Sequence, residues 1–294
     1  MNWPKSLINK IKTKVNLAAY TSFKIGGAAE FFFEPKNIQE LKKILVLAKK
    51  KKLPVFILGS GSNILVSDSG VKGLVVKINE ECFKSVYSKG VFLTAPSGLK
   101  LSKLILFAKK KGLSGLEFLA GIPGTVGGSL VGNAGAWGSS IGDLVEDICV
   151  LDYNGKKKLF CGNQLKFSYR KSNLNKYIIL WVKLRLKSKS RDSIASKINN
   201  YLLLRRASQS NIFPNAGCIF KNPAGKIPAG ELIDLCQLKG RRKAKAMISK
   251  AHANFILNLG NAKSSDVIFL MNLIRKKVKA KFKVNLEPEI KLWR

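Results

Sequence analysis

An α+β fold in two parts is predicted for this chain by three observations. Helical stripes alternate with short, unevenly spaced apolar strands over 294 residues, a length sufficient for two packed cores. A polar break, SKSRDS, interrupts the apolar patterning after Leu186. Glycine is concentrated in two tracts that follow apolar elements. Together these place a first domain at 1–188, with a short N-terminal segment at 1–16, and a second domain at 189–294.

The elements follow in order. Asn37 to Lys52 carries Ile38, Leu41, Ile44, Leu45 and Ala48 at helical spacing, and Leu53-Pro54 ends it before the apolar strand Val55 to Leu58. A second helix is expected over Leu99 to Lys111. Strands are expected at Gly73–Ile78, Val91–Ala95, Ile148–Tyr153 and Tyr177–Leu186. Beyond the break come a helix over Ile194–Arg206, the segment Phe213–Asn222, helices near Ala229–Leu238 and Ser265–Lys279, and a final strand over Lys283–Leu292.

Composition narrows the function. No stretch approaches the roughly 18–20 apolar residues of a membrane span, and Met1–Thr13 lacks the apolar core of a secretory signal. A cytoplasmic protein is expected, with no membrane partner. Five scattered cysteines without a CxxC pair point to reduced thiols, and the single histidine, His252, leaves no multi-histidine metal site, so no metal is expected. The formal charge of +36 is mostly lysine, with only nine arginines, and sits at solvent-facing helical positions such as Lys42, Lys43 and Lys109–Lys111. It reads as solvated helix faces. A polyanion-binding surface is the competing reading, but stacking aromatics interleaved with arginines are not evident. No nucleic acid and no obligate protein partner are expected.

The first glycine tract, LGSGSNIL, contains Gly59, Ser60, Gly61, Ser62 and Asn63 directly after a strand. From the residues alone it is either a tight turn or a nest of N–H groups for a phosphate, because it lacks both the lysine of a Walker A loop and the third glycine of GxGxxG. The second tract, Leu119 to Gly138, has seven glycines and few polar groups. Such side-chain-free backbone suits either a close crossover of chains or a large flat ligand. Two separated cradles suit a dinucleotide cofactor.

The series TSFKIGG (21–27), LGSGSNIL (58–65), GLEFLAGIPGTVGGSLVGNAGAWG (115–138), FSYRKS (167–172), NAGCIFKNPAG (215–225), the 238–258 stretch ending HANFILN, and LEPEI (286–290) resembles the UDP-N-acetylenolpyruvoylglucosamine reductase family. The motifs occur in family order over nearly the whole chain. The resemblance implies an FAD-binding domain of the p-cresol methylhydroxylase and vanillyl-alcohol oxidase type, followed by a smaller α+β substrate-binding domain. It implies reduction of UDP-N-acetylglucosamine enolpyruvate, a small-molecule UDP-sugar, to UDP-N-acetylmuramate in peptidoglycan precursor synthesis, with FAD as cofactor and NADPH as co-substrate. It assigns the FAD diphosphate to Gly59–Asn63 and to Gly121, Ile122, Pro123, Gly124, Thr125, Gly127 and Gly128, with Asn133, Ala134 and Gly135 close to the flavin. The short connection from Leu174 to Trp181 resembles the subtype that lacks a substrate-covering insertion.

The catalytic residues implied by the resemblance are Arg170, Cys218 and Glu289. From residue type alone, Arg170 reads as a surface ion pair; as the family's arginine it stabilises a carboxylate or enolate with its planar cationic fork. Cys218 occupies the position of the family's proton-donating serine, and a thiol is a stronger acid than a hydroxyl. Glu289 matches the family glutamate, with Glu287 the nearby alternative. Tyr169, Arg205, Arg206, Lys221 and Asn222 are the expected substrate-binding residues. The sequence also departs from the family pattern at Gln209-Ser210, where Gln-Pro is common, and at Ala244-Lys245, where glycines are usual. His252 is expected to pack or hydrogen-bond rather than catalyse.

Overall fold

A computed structural model describes residues 3–83, 85–209, 213–225 and 227–294, so Ser210 lies outside the described residues. It resolves two compact units. One comprises 1–12, 31–60 and 73–204, the other 13–30, 61–72 and 205–294. The expected boundary between 188 and 189 does not coincide with this division. Helix Arg191–Ser208 belongs to the first unit as far as Leu204, and two early segments belong to the second. The polar break changes surface character without changing which core the chain contributes to.

The first unit is built on a five-stranded antiparallel sheet, in the order Lys157–Cys161, Val145–Leu151, Ile178–Arg185, Phe92–Pro96, Tyr87–Lys89. Successive strand side chains face opposite sides, and this sheet buries both. Ile178 and Leu180 join a core with Leu41, Ile44, Leu45 and Ala48 of helix Ile38–Lys50, together with Phe31, Phe33, Leu74 and Val76. Ile179, Val182 and Leu184 join another with Leu101, Leu104 and Ile105 of helix Leu101–Lys110 and Val126 and Leu130 of helix Val126–Val131. Trp181 packs partly against the first of these cores, because a bulge opposite Cys149 and Val150 shifts the alternation. Helix Ile38–Lys50 starts where the Asn37 side chain accepts the N–H of Glu40 at 2.9 Å. Strand Val55–Leu58 pairs in parallel with Val71–Lys77, with Leu58 opposite Lys77.

Glu117 shapes the entry to the long glycine tract. Its buried carboxylate accepts from Ser114 Oγ and from the Gly115 N–H, both at 2.7 Å. The tract then contains a helix, Val126–Val131, that its glycine content did not suggest. Thr125 Oγ1 caps it by accepting the Gly128 N–H at 3.3 Å.

The second unit packs helices Ala229–Leu235 and Ser264–Phe282 against a three-stranded antiparallel sheet, Arg242–Lys243, Ala246–Ile248 and Ile256–Asn258. Leu232, Ile233, Val267, Leu270, Met271, Ile274 and Val278 form its core. Phe23, Ile25 and Leu65, from the early segments, are buried among them, which is why these segments belong here. Asn258 Nδ2 donates to the Phe23 carbonyl at 3.0 Å, and strand Lys291–Trp293 runs parallel to Ile64–Val66. The expected strand over Lys283–Leu292 is shorter than predicted. Lys283 is left-handed (φ 57°) at the end of helix Ser264–Phe282, and ladder pairing starts only at Lys291.

Candidate active site

The loop Gly59–Asn63 is shared. Gly59 and Ser60 belong to the first unit, Gly61, Ser62 and Asn63 to the second. Strand Val55–Leu58 delivers Gly59 to a position where an added Cβ would lie 2.7 Å from Thr125 Oγ1. The two glycine tracts therefore meet within the first unit, and glycine is required at 59 for that contact. The leading amides of helix Val126–Val131 are used by the protein itself: Val126 N–H donates to Leu99, and Gly127 N–H to the Ser97 carbonyl at 2.8 Å. Gly121 and Gly128 are exposed and Gly124 half-buried, so backbone is presented with no side chain over it. Ile122 is half-buried and Pro123 exposed.

Two polar groups sit under this backbone. Ser97 is 4% exposed, and its hydroxyl has no hydrogen-bond partner among the described residues. Lys77 donates its ammonium to the Gly59 carbonyl. Burial lowers the Lys77 pKa, with the Lys100 charge acting in the same direction and the Glu34 carboxylate opposing it. Bare loops in contact, a buried hydroxyl without a partner among the described residues and a cation beneath the loop form a donor set that fits a dinucleotide diphosphate. Among the described residues, no cluster of three or more His, Cys, Asp or Glu could hold a metal ion, and no helix is long and apolar enough to cross a membrane.

The same unit positions Arg170. Phe167–Ser168 and Lys171–Ser172 pair as a hairpin whose two-residue turn is Tyr169-Arg170. Arg170 adopts φ 53° there, a conformation that costs a side-chain-bearing residue energy. Its Nη1 donates to the Gly135 carbonyl at 2.8 Å. Asn133, 6% exposed and also left-handed (φ 43°), joins the tract to this hairpin: its Nδ2 donates to the Ser168 carbonyl at 3.0 Å, and its Oδ1 accepts the Gly142 N–H at 3.0 Å. The Asn133 side chain thus has a structural task. Ala134 and Gly135 are half-buried beside it, and Tyr169 is 55% exposed, its ring 5.4 Å from the Arg170 guanidinium carbon. Trp137 (φ 49°) stacks on Tyr201 at 4.6 Å.

In the second unit, the segment carrying Cys218 lies alongside the one carrying Glu289. Glu289 N–H donates to the Ile219 carbonyl at 2.8 Å, Lys221 N–H to the Glu287 carbonyl at 2.9 Å, and Phe220 bridges Pro288. Asn254, 2% exposed, fastens the arrangement, its side chain accepting from Phe220 N–H at 2.9 Å and donating to the Phe220 carbonyl at 2.8 Å. Cys218 is half-buried against the apolar cluster Met247, Phe255 and Leu257. Asn63 reaches the same place, its Nδ2 donating to the Glu289 carbonyl at 3.4 Å and its carbonyl accepting the Lys291 N–H at 3.0 Å. Of the two glutamates, Glu287 is exposed and pairs with Lys221 at 3.2 Å, while Glu289 is half-buried.

The substrate candidates are more dispersed. Asn222 Oδ1 accepts the Ala229 N–H at 3.0 Å, serving helix Ala229–Leu235 where Pro228 offers no capping side chain. Arg205 bonds Gln209 at 3.2 Å one turn along its helix, and Arg206 is exposed. His252 is a packing and hydrogen-bonding residue: its Nδ1 accepts the Asn254 N–H at 3.2 Å, its ring lies 4.9 Å from Phe255, and burial lowers its pKa.

Lys77, Ser97 and Asn254 were not singled out from the sequence. Lys77 had a signal, as the one charge closing the apolar run Gly73 to Ile78. Ser97 and Asn254 resemble any small polar residue until their burial is known.

Residues 29–157 match the model of an FAD binding domain, and residues 208–293 that of the UDP-N-acetylenolpyruvoylglucosamine reductase C-terminal domain. The chain is 41% identical over 286 residues to UDP-N-acetylenolpyruvoylglucosamine reductase 2 of Symbiobacterium thermophilum, covering 97% of this chain and 92% of that one. It is 40% identical to the corresponding reductase of Moorella thermoacetica, covering 97% and 93%. The crystal structure of the Thermus caldophilus reductase superposes with a TM-score of 0.83 at 36% identity, covering 97% of this chain and 99% of that one. An FAD-binding unit whose glycine tracts meet at Gly59 and Thr125, followed by the matching C-terminal domain, makes this chain an enzyme of the UDP-N-acetylenolpyruvoylglucosamine reductase family.

Proposed function

We propose that the chain reduces UDP-N-acetylglucosamine enolpyruvate to UDP-N-acetylmuramate in the cytoplasm, with NADPH as the reductant. Family membership over nearly the whole length supports the substrate class. The observation that carries the catalytic reading is the strained hairpin that holds Arg170 against the Gly135 carbonyl of the FAD-binding unit.

FAD, when bound, supplies the hydride that reaches the terminal carbon of the enolpyruvyl group. The remaining tasks fall to side chains. Negative charge spreads onto the adjacent carbon and the carboxylate as the double bond is lost, and the Arg170 fork stabilises it. Cys218 Sγ–H gives its proton to that adjacent carbon and is reprotonated afterwards, while Glu289 polarises the substrate carboxyl group and relays the proton. Lys221, Arg205, Arg206 and Asn222 contact the UDP-sugar, and Tyr169 lines the enolpyruvyl pocket.

Anaerobic addition of NADPH to the yellow protein is expected to bleach the flavin band, and addition of UDP-N-acetylglucosamine enolpyruvate to restore it. Restoration by oxygen alone would point to a different substrate.

A further inference from the structure

Lys77 has no part in the reaction as derived above, yet it is a half-buried cation directly below the first glycine loop. The strand register explains its position: Leu58, the last residue before the loop, is paired with Lys77, the last residue of its own strand. Side chains before it, Leu74, Val75 and Val76, are fully buried, so the cation comes exactly where the sheet ends and the loop begins. Its ammonium donates to the carbonyl of Gly59.

That bond has a geometric consequence. A trans peptide points its C=O and the following N–H in opposite directions, and the structure contains no cis bonds among the described residues. Anchoring the Gly59 carbonyl to Lys77 therefore turns the Ser60 N–H away from Lys77, to the outer side of the loop. It also withdraws a carbonyl oxygen that would repel an anion. Glu34 tempers the cation, and is itself held by Asn79 Nδ2 at 3.1 Å and by Lys12 at 3.8 Å. The Lys100 charge acts on the Lys77 ammonium as well. Gly59 also packs closely against Thr125 Oγ1, and the helix that Thr125 caps is tied to buried Ser97 through the Gly127 N–H.

Resting on the reading of this loop as part of the FAD cradle, we propose that Lys77 is a positioning residue for the cofactor diphosphate, orienting the Ser60 amide toward it and supplying counter-charge from beneath the loop. The ligand it distinguishes is a flavin carrying phosphate from a flavin without one.

The test strips the flavin from the full-length protein and measures rebinding of FAD and of riboflavin by flavin fluorescence. Lys77→Met is expected to weaken FAD by about tenfold or more, the scale of a lost charge-assisted hydrogen bond, while riboflavin affinity stays within about twofold of wild type. Lys77→Arg, which keeps charge and donor, is expected to recover most of the loss. FAD binding by Lys77→Met at wild-type strength overturns the proposal, and so does an equal loss of FAD and riboflavin, which would mark a loop-folding role only. Should Lys77→Met fail to fold, Glu34→Gln decides: it keeps the Asn79 bond, removes the opposing charge and is expected to tighten FAD, and unchanged affinity overturns the proposal. A wild-type chain that takes up no flavin defeats the functional reading itself, whereas wild-type uptake with an indifferent Lys77→Met defeats only this inference.

Discussion

The Cys218 thiol is half-buried against Met247, Phe255 and Leu257, and serine is its oxygen isostere. Cys218→Ser is therefore expected to keep turnover within about tenfold of wild type, while Cys218→Ala, which removes the proton donor, lowers it by about 10²–10³-fold. Steady-state rates with the enolpyruvyl substrate decide between them. Ala244 makes a different kind of substitution. It occupies the two-residue turn between the paired Lys243 and Ala246 at φ 44°, so its Cβ is strained. Ala244→Gly is expected to raise stability by about 1 kcal/mol, and a melting temperature unchanged or lowered would contradict that. The strain at Arg170 and Asn133 differs in being tied to the glycine tract through named hydrogen bonds.

At the level of elements, helix Ser264–Phe282 begins on a remote carboxylate. Asp68 accepts the Ser264 N–H at 2.6 Å and the Ser265 N–H at 3.1 Å. Burial works to raise the Asp68 pKa, but these bonds outweigh it and hold the carboxyl below its ordinary value. A depressed pKa in the folded state stabilises the protein above the ordinary carboxylate value and loses that contribution as pH falls through the lower one. Denaturant unfolding of Asp68→Ala is expected to show a deficit of about 0.5–2 kcal/mol at neutral pH that shrinks below about pH 4; a deficit independent of pH would be inconsistent with capping. Asn254→Ala strips two bonds from buried Phe220 backbone and is expected to cost about 2–5 kcal/mol, read from the same unfolding curves.

These elements also show what was legible in the sequence. Helices Ile38–Lys50, Leu101–Lys110 and Ser264–Phe282 and the central sheet strands were visible because an apolar stripe has a period, and the glycine tracts and the Arg170 segment stood out as motifs that resemble a family. Helix Val126–Val131 was hidden because its stability comes from Thr125 and from packing of Val126 and Leu130, against a composition that opposes it. The end strand was overextended because Val284, Leu286 and Ile290 alternate as a strand would while pairing with no ladder until Lys291.

At the scale of the whole molecule, the division of the chain carries its own expectation. A fragment of residues 189–294 contains both helices of the second core but lacks Phe23, Ile25 and Leu65, each buried in it. Removing three such side chains exceeds what a marginally stable domain tolerates, so the fragment is expected to give the circular dichroism of an unfolded chain. A cooperative melt from it would show that the early segments are dispensable. The lysine excess behaves differently: Lys10, Lys103, Lys183 and Lys239 pair with carboxylates at the surface, where such pairs contribute little.

Five passages of the backbone between the units, at 12–13, 30–31, 60–61, 72–73 and 204–205, set a schedule for the nascent protein. Ile64 leaves the ribosome on the order of 10–50 s before Lys291 is added, at about 5–20 residues per second. Until then the strand Ile64–Val66 lacks its partner, so the second core closes only late in synthesis.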